Sequence, residues 1–104
     1  MAKYRTLSLR RLKPECVPDY IHYHQQVWPE LLEAYHQAGI TRIDCCLNGS
    51  DLVVCIEYDS DVYEKRKDAL RRNPIEIRWQ ALMETLRDTS VEQRFFEEVF
   101  HWES

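Results

Sequence analysis

The sequence predicts an α+β fold, with an antiparallel four-stranded sheet that carries helices on one face. The 104-residue chain is of the size that forms one hydrophobic core, and 44% of its residues are apolar. Strand and helix patterns follow one another as β-α-β-β-α-β, without repeats or low-complexity linkers. This order is the ferredoxin-like arrangement. Residues 1–104 are therefore expected to form a single domain.

The first strand and the first helical segment are defined by their periodicities. Residues 4–12, "YRTLSLRRL", alternate, so that Leu7 and Leu9 point one way and the polar residues between them point the other. Such alternation predicts a half-buried strand. A helical segment follows to about Ala38, and Gly39 is suited to the position just past its end.

The second half of the chain supplies a hairpin, a helical segment and a last strand. Residues 41–59 contain two β-prone runs around an Asn-Gly turn at 48–51, which predicts a hairpin. Residues 61–87 are helical but interrupted, because Asn73 can cap a new helix whose first residue is proline. The run "VEQRFFEEVFHWE", residues 91–103, is rich in Val and Phe and is predicted as the fourth strand.

One face of this sheet is left without helices. It carries Val53 and Cys55, or the residues that alternate with them, and apolar side chains on an open face need a cover. A second copy of the chain is the simplest cover. We therefore expect a homodimer that packs sheet to sheet, as a dimeric α/β barrel.

Composition excludes several classes of function. The formal net charge of −4 argues against nucleic acid or an anionic membrane as the main partner. Apolar runs are too short for a transmembrane span, and "MAKYRTLSLRRL" lacks the features of a signal peptide. The cysteine spacing matches no zinc pattern, so reduced thiols in a cytoplasmic protein are expected. The cysteines are Cys16, Cys45, Cys46 and Cys55.

A histidine lies among the aromatic residues of the segment "DYIHYHQQVWPELLEAY", residues 19–35. On a helix with about 100° per residue, Tyr20 and Trp28 fall about 40° to either side of His24. His24 therefore lies at the middle of the apolar stripe and faces the sheet. His22 lies about 160° away and faces solvent, so the two histidines cannot share a metal ion. No metal site is expected.

Two interpretations of this histidine remain open on physical grounds. A lone histidine on an apolar face is usually a core residue with its polar atoms satisfied. Alternatively, the break that Pro29 imposes on the helix opens room for a polar pocket near Tyr20, His24 and Trp79. Trp79 belongs to the apolar stripe of the second helical segment, which consists of Ile75, Trp79, Leu82, Met83 and Leu86.

Four sequence motifs resemble those of the L-rhamnose mutarotases. They are "Y-x-x-x-H-x-x-V-W-P-E-L" at 20–31, the pair Ala38-Gly39, "R-W-Q" at 78–80 and "E-E-V-F-H" near the end. The resemblance extends from about Tyr4 to Trp102. It implies a dimeric ferredoxin-like fold and the interconversion of the α and β anomers of a 6-deoxy sugar, without a cofactor.

The resemblance also implies roles for individual residues. The proton-donating histidine of the family falls on His24, and its substrate-binding tyrosine falls on Tyr20. Its two adjacent sugar-contacting tryptophans fall on Trp79 and Gln80, so the second is replaced by an amide. A further substrate-binding tyrosine is replaced by Ile43. Both replacements touch the sugar pocket and leave His24 unchanged, so L-fucose stays open beside L-rhamnose as the substrate.

The chemistry suits the residue types. Mutarotation needs a proton on the ring oxygen and loss of the proton from the anomeric hydroxyl, and histidine exchanges protons near neutral pH. Two other classes of function use the same kind of fold or pocket. One is a cofactor-free or haem-handling monooxygenase, which rests on fold analogy. The other is a sugar-binding protein without catalytic activity.

Overall fold

A computed structural model describes residues 3–104; Met1 and Ala2, the first residues of the predicted domain, lie outside them. A 3₁₀ turn at Pro14–Cys16 joins the first strand to the first helix. The strands are β1 (Lys3–Arg11), β2 (Ile40–Asn48), β3 (Asp51–Asp59) and β4 (Arg94–Phe96). The helices are α1 (Val17–Gln25), α2 (Pro29–Gln37), α3 (Ser60–Arg72) and α4 (Pro74–Leu86).

The sheet confirms the predicted ferredoxin-like fold. Its strand order is β2-β3-β1-β4, and every pairing is antiparallel. The hairpin between β2 and β3 turns at Gly49, which has φ of +60°, while Ser50 has negative φ. A positive φ at the first central position alone matches a type II′ turn, which suits the twist of paired strands.

Both predicted helix breaks occur at prolines. α1 ends at Gln25, and α2 begins at Pro29 after Trp28, which has extended backbone angles. α3 and α4 are separated by Asn73, whose side chain accepts a hydrogen bond from the Ile75 amide at 3.0 Å. Proline is well suited to the first helical position because that position needs no amide donor. Each helical segment of the sequence is therefore two helices that meet at an angle.

The fourth strand is much shorter than predicted. Only Arg94–Phe96 pairs with β1, and residues 97–104 have no regular secondary structure. Val99, Phe100 and Trp102 are 87%, 81% and 72% exposed. The prediction of a strand over 91–103 relied on β-propensity, but propensity forms a strand only where side chains find a surface to pack against. Within residues 3–104 the apolar side chains of this tail find none.

The alternation in β1 suggests that its leucine side is buried, but the structure buries the other side. Ser8 is 3% exposed and lies under the helices, whereas Leu7 is 39% exposed and lies on the open face. Leu7 pairs with Cys55, and Leu9 pairs with Val53, so these four side chains share the helix-free face, on which Val53 and Cys55 were expected. The core on the other face is built from Leu12, Tyr20, Leu52, Val54 and Leu86.

Candidate active site

A cavity of about 610 Å³ lies between the helix-covered face of the sheet and the helices. Tyr20 and His24 of α1, Trp79 and Gln80 of α4, and Ile43 of β2 all line it. The structure thus brings together the four site residues predicted from the sequence, and it places the hairpin position 43 beside them. His22 is exposed, as the helical geometry predicted.

His24 is held in one orientation by its own helix. Its Nδ1 lies 2.8 Å from the backbone carbonyl oxygen of Tyr20, one turn earlier. A carbonyl oxygen can only accept, so Nδ1 carries a hydrogen and donates it. In the neutral ring Nε2 is then the unprotonated nitrogen. Within residues 3–104 Nε2 makes no hydrogen bond, so it is the atom available for proton exchange in the cavity.

Aromatic rings surround the His24 imidazole. The Tyr20 ring stacks on it with centroids 4.0 Å apart and an angle of 25° between the planes. The Trp79 ring meets it edge on at 5.2 Å, and Trp28 in turn packs against Trp79 at 5.1 Å. Trp79 is 5% exposed. These contacts keep the imidazole at the wall of the cavity and provide an apolar surface beside its free nitrogen.

Two tyrosines contribute phenol groups to the cavity. Burial, followed by an interaction with the Cys45 thiol, raises the pKa of Tyr20 above its ordinary value. Burial, followed by interactions with Glu76, raises the pKa of Tyr35 as well. Both phenols therefore stay protonated at neutral pH and can donate hydrogen bonds to a ligand. Tyr35 is on the α2 surface that faces α4.

Gln80 and Glu76 form an amide–carboxylate pair on one turn of α4. Gln80 Nε2 donates to Glu76 Oε1 at 2.8 Å. Glu76 Oε2 is buried and has no hydrogen-bond partner in the part of the chain that the structure describes. Because both residues line the cavity, a ligand that donates a hydrogen bond can satisfy this oxygen.

Two arginines line the cavity near the end of β1. Arg10 projects from the helix-covered face, and Arg87 follows the last turn of α4. The Gln93 side-chain oxygen, in the orientation that satisfies both partners, accepts hydrogen bonds at 3.0 Å from Arg10 Nε and Nη2. Leu12 and Arg87 form a β-bridge, which joins the end of α4 to the end of β1.

Several of these polar groups were missed in the sequence. Arg10 follows the alternation of β1 but lies on its polar side, which suggests a solvent-facing residue. Glu76 lies four residues before Gln80, so their pairing was visible as i,i+4 spacing. Tyr35 is the last residue of the aromatic segment 19–35 and had no assigned role. Neither spacing nor periodicity in the sequence indicates that Arg10, Tyr35 and Glu76 line the same cavity.

The structure also bears on metals, disulfides and membranes. Among residues 3–104, no three His, Cys, Asp or Glu side chains cluster so as to hold a metal ion. Each of the four cysteines is free. No described helix combines the length and the hydropathy that a bilayer crossing requires.

Comparison with known proteins connects the fold to a family. The family model for L-rhamnose mutarotase matches residues 5–102. A protein of Jannaschia sp. (strain CCS1) named L-rhamnose mutarotase is 28% identical over 103 residues, which cover 88% of this chain and 90% of that protein.

Solved structures agree on the fold. An L-rhamnose mutarotase from Formosa agariphila has a TM-score of 0.76 at 23% identity, and the match covers 96% of this chain and 99% of that one. An antibiotic biosynthesis monooxygenase has a TM-score of 0.60 at 14% identity, with 94% and 99% covered. At these identities both likenesses show a shared fold. The match of the family model over nearly the whole chain is what decides the family, and the chain belongs to the L-rhamnose mutarotases.

Proposed function

We propose that this protein interconverts the α and β anomers of L-rhamnose, with His24 as the residue that exchanges the proton. The observation that carries the proposal is the environment of His24. Its Nδ1 donates to the Tyr20 carbonyl oxygen, and its Nε2 has no hydrogen-bond partner among residues 3–104 and lies at a cavity of a size that accommodates a sugar. The family of the chain supplies the reaction class.

Ring opening can be written with His24 Nε2 as the acid. The protonated imidazole donates to the ring oxygen as the bond between that oxygen and C1 breaks, and a water molecule takes the proton of the anomeric hydroxyl as the aldehyde forms. The open aldehyde rotates about C1–C2. The ring closes when the neutral Nε2 takes the proton back from the C5 hydroxyl as its oxygen attacks C1, and the hydronium ion formed in the first step returns a proton to the C1 oxygen. Proton transfer by a positioned side chain accelerates such a step by about 10²–10⁴-fold.

The other predicted site residues bind the sugar. Trp79 can pack against the C–H face and the C5 methyl of a 6-deoxy sugar. Tyr20 can donate a hydrogen bond from a phenol that stays protonated. Gln80 offers a donor and an acceptor, and Glu76 Oε2 can accept from a hydroxyl. No step in this scheme requires a metal or an organic cofactor.

A saturation-transfer NMR experiment tests this function. The exchange rate between the anomeric protons is measured for L-rhamnose, L-fucose and D-glucose, with and without the protein. We expect acceleration that is largest for L-rhamnose. A larger effect on L-fucose would change the substrate, and binding without acceleration would favour a non-catalytic sugar-binding protein. Haem absorbance or oxygen consumption with a quinol would instead support the monooxygenase alternative.

We also propose that the active form is a homodimer that packs through the helix-free face of the sheet. This face carries Leu7 and Phe96, which pair across β1 and β4 and are 39% and 43% exposed. Arg5 forms an ion pair with Glu98 at 2.5 Å, so the tail is anchored beside this face while its apolar side chains stay exposed. A second copy would cover both features.

A cytoplasmic location is proposed on the cysteines. All four are free, and Cys45 and Cys46 are exposed neighbours in β2. Exposed unpaired thiols are typical of a reducing compartment.

A further inference from the structure

We propose that Arg10 and Arg87 form an anion subsite in the cavity, through which the protein also accepts aldoses that carry a carboxylate, of the uronic acid class. This inference rests on the proposed function, because it uses the same cavity and the same proton exchange at His24. It extends the substrate range from a neutral 6-deoxy sugar to an anionic sugar.

Backbone pairing places the two guanidinium groups on one surface. Leu12 and Arg87 are bridge partners, so their side chains point to the same face of the sheet. Arg10 lies two residues before Leu12 in the same extended segment and therefore shares that face. Arg10 and Arg87 are thus diagonal neighbours, about 7–8 Å apart between Cα atoms. Side chains as long as arginine readily converge over that distance.

Arg10 lacks the compensation that a paired cation has, and Arg87 is only partly compensated. Arg10 forms no ion pair within residues 3–104, and its hydrogen-bond partner is the neutral amide of Gln93. Burial, and the nearby charge of Arg87, lower the pKa of Arg10, while none of the groups chiefly acting on it is a carboxylate. Arg87 Nη2 forms an ion pair with the half-exposed Glu84 at 3.0 Å, but its Nε is buried and has no hydrogen-bond partner in the described part of the chain.

The Arg10 contact has the shape of a carboxylate site. The Gln93 oxygen accepts from both Nε and Nη2 at 3.0 Å, so a planar amide occupies the edge of the Arg10 guanidinium at which a carboxylate binds with two parallel hydrogen bonds. A planar carboxylate of a ligand can take the place of this amide, with Arg87 as a second cation on the same cavity wall.

The cavity is polar at both ends, which would orient such a sugar. Glu76 Oε2, unpaired and buried, is available to a hydroxyl on the α4 side, away from the arginine pair. A sugar that carried its carboxylate to Arg10 would leave its hydroxyls for Glu76 and Gln80. His24 and Trp79 lie on the wall between these groups.

The test compares exchange rates for D-galacturonate, D-glucuronate and L-rhamnose by saturation-transfer NMR, and measures uronate binding separately by titration. The variants are Arg10→Gln and Arg87→Gln. Arg66→Gln, at an exposed arginine of α3, removes the same charge outside the cavity. We expect wild type to accelerate exchange of at least one uronate. In Arg10→Gln the ratio of uronate to L-rhamnose rates should fall about 10- to 100-fold, as for a lost charge-assisted hydrogen bond.

The remaining outcomes are distinguishable. The same ratio should be unchanged in Arg66→Gln, and uronate exchange alone should weaken as NaCl is raised from about 0.05 to 0.5 M. Acceleration of L-rhamnose without uronate binding would overturn the anion subsite and leave the proposed function standing. Uronate binding that depends on Arg10, without acceleration of any sugar, would support the subsite and overturn the proposed function. Preference for D-glucose 6-phosphate over both uronates would overturn the assignment to carboxylates.

If Arg10→Gln does not fold by circular dichroism, Arg87→Gln takes its place. Arg87 follows the last turn of α4, and its bridge to Leu12 is made by backbone atoms, so this variant removes a guanidinium without removing a backbone hydrogen-bonding group. A salt-independent uronate rate in wild type would then be enough to overturn the proposal.

Discussion

At the scale of single residues, the central feature is the difference between His24 and His22. Both lie in the last turn of α1, two positions apart, but only His24 lines the cavity and has its Nδ1 engaged. A core histidine would have both nitrogens satisfied, because an unpaired buried polar atom costs about 1–3 kcal/mol. His24 has one nitrogen satisfied and one available to a ligand.

His24→Ala is therefore expected to lose most of the anomer exchange while the protein stays folded. The expected loss is about 10²–10⁴-fold, the usual contribution of a positioned acid or base. His22→Ala, the matched control on the exposed side of the same helix, should keep its rate within about twofold, as surface substitutions disturb little. Saturation-transfer rates with circular dichroism on both variants check this. Near wild-type exchange in a folded His24→Ala protein would remove the catalytic role of His24.

At the scale of elements, the breaks between helices determine where the aromatic rings lie. Trp28 is in extended conformation between α1 and α2, and its ring packs edge on against Trp79 of α4. If one continuous helix ran through residues 17–37, Trp28 would be a residue within that helix. The break instead lets Trp28 pack against Trp79, whose side chain lines the cavity, while α2 contacts α4.

The junction between α2 and β2 depends on Gly39. Its φ is +87°, a left-handed conformation that ends α2, and a Cβ at this position would lie 2.8 Å from Val62 Cβ of α3. Gly49 of the hairpin also has positive φ, +60°, but a Cβ there would meet no atom within 4 Å. A substitution at Gly49 therefore tests backbone strain alone, whereas a substitution at Gly39 tests backbone strain and crowding together.

Gly39→Ala should destabilise the fold more than Gly49→Ala. The backbone term alone is about 1–2 kcal/mol for an L-residue in the left-handed region. Crowding against Val62 adds roughly 1–3 kcal/mol at Gly39, as for other overpacked sites. Thermal unfolding should show a lower Tm for Gly39→Ala by several degrees beyond the Gly49→Ala shift, at about 4–8 °C per kcal/mol. Equal shifts would show that α3 yields easily to a methyl group.

At the scale of the whole molecule, the helix-free face of the sheet and the tail after β4 both expose large apolar residues. Of the large apolar residues that the structure describes, Val99, Phe100 and Trp102 are the most exposed. Monomers rarely leave an extended apolar patch open, which is the physical basis for the proposed homodimer.

Sedimentation at micromolar concentration should give twice the 12.6 kDa mass of the chain. Leu7→Glu, at the middle of the helix-free face, should shift the protein to monomer because two carboxylates would be buried in a symmetric interface. Ile77→Glu is the control, since Ile77 is 54% exposed on α4 and lies away from that face. A monomeric wild type, or a Leu7→Glu protein that stays dimeric, would contradict packing through the sheet.

The predictions that held came from signals local in the chain. The order of elements, the turn at Gly49, the breaks at Pro29 and Asn73 and the opposite directions of His22 and His24 all follow from backbone sterics and helical or strand periodicity. These forces act within a few residues, so one sequence determines them. The length of the fourth strand was overestimated because β-propensity is a local property of the sequence, whereas the surface against which a strand packs comes from distant parts of the chain.

Only the tertiary structure decided which face of each element is covered and what meets there. Alternation in β1 separates Leu7 from Arg10 but does not say that the arginine side faces the helices. Arg10 and Arg87 share one wall of the cavity because the end of α4 bridges to the end of β1, a contact between residues 75 positions apart. The sequence by itself determined the elements, the position of His24 on its helix and the likeness to a family. The charged groups of the cavity were decided by packing, because their separation in the chain leaves no local pattern to read.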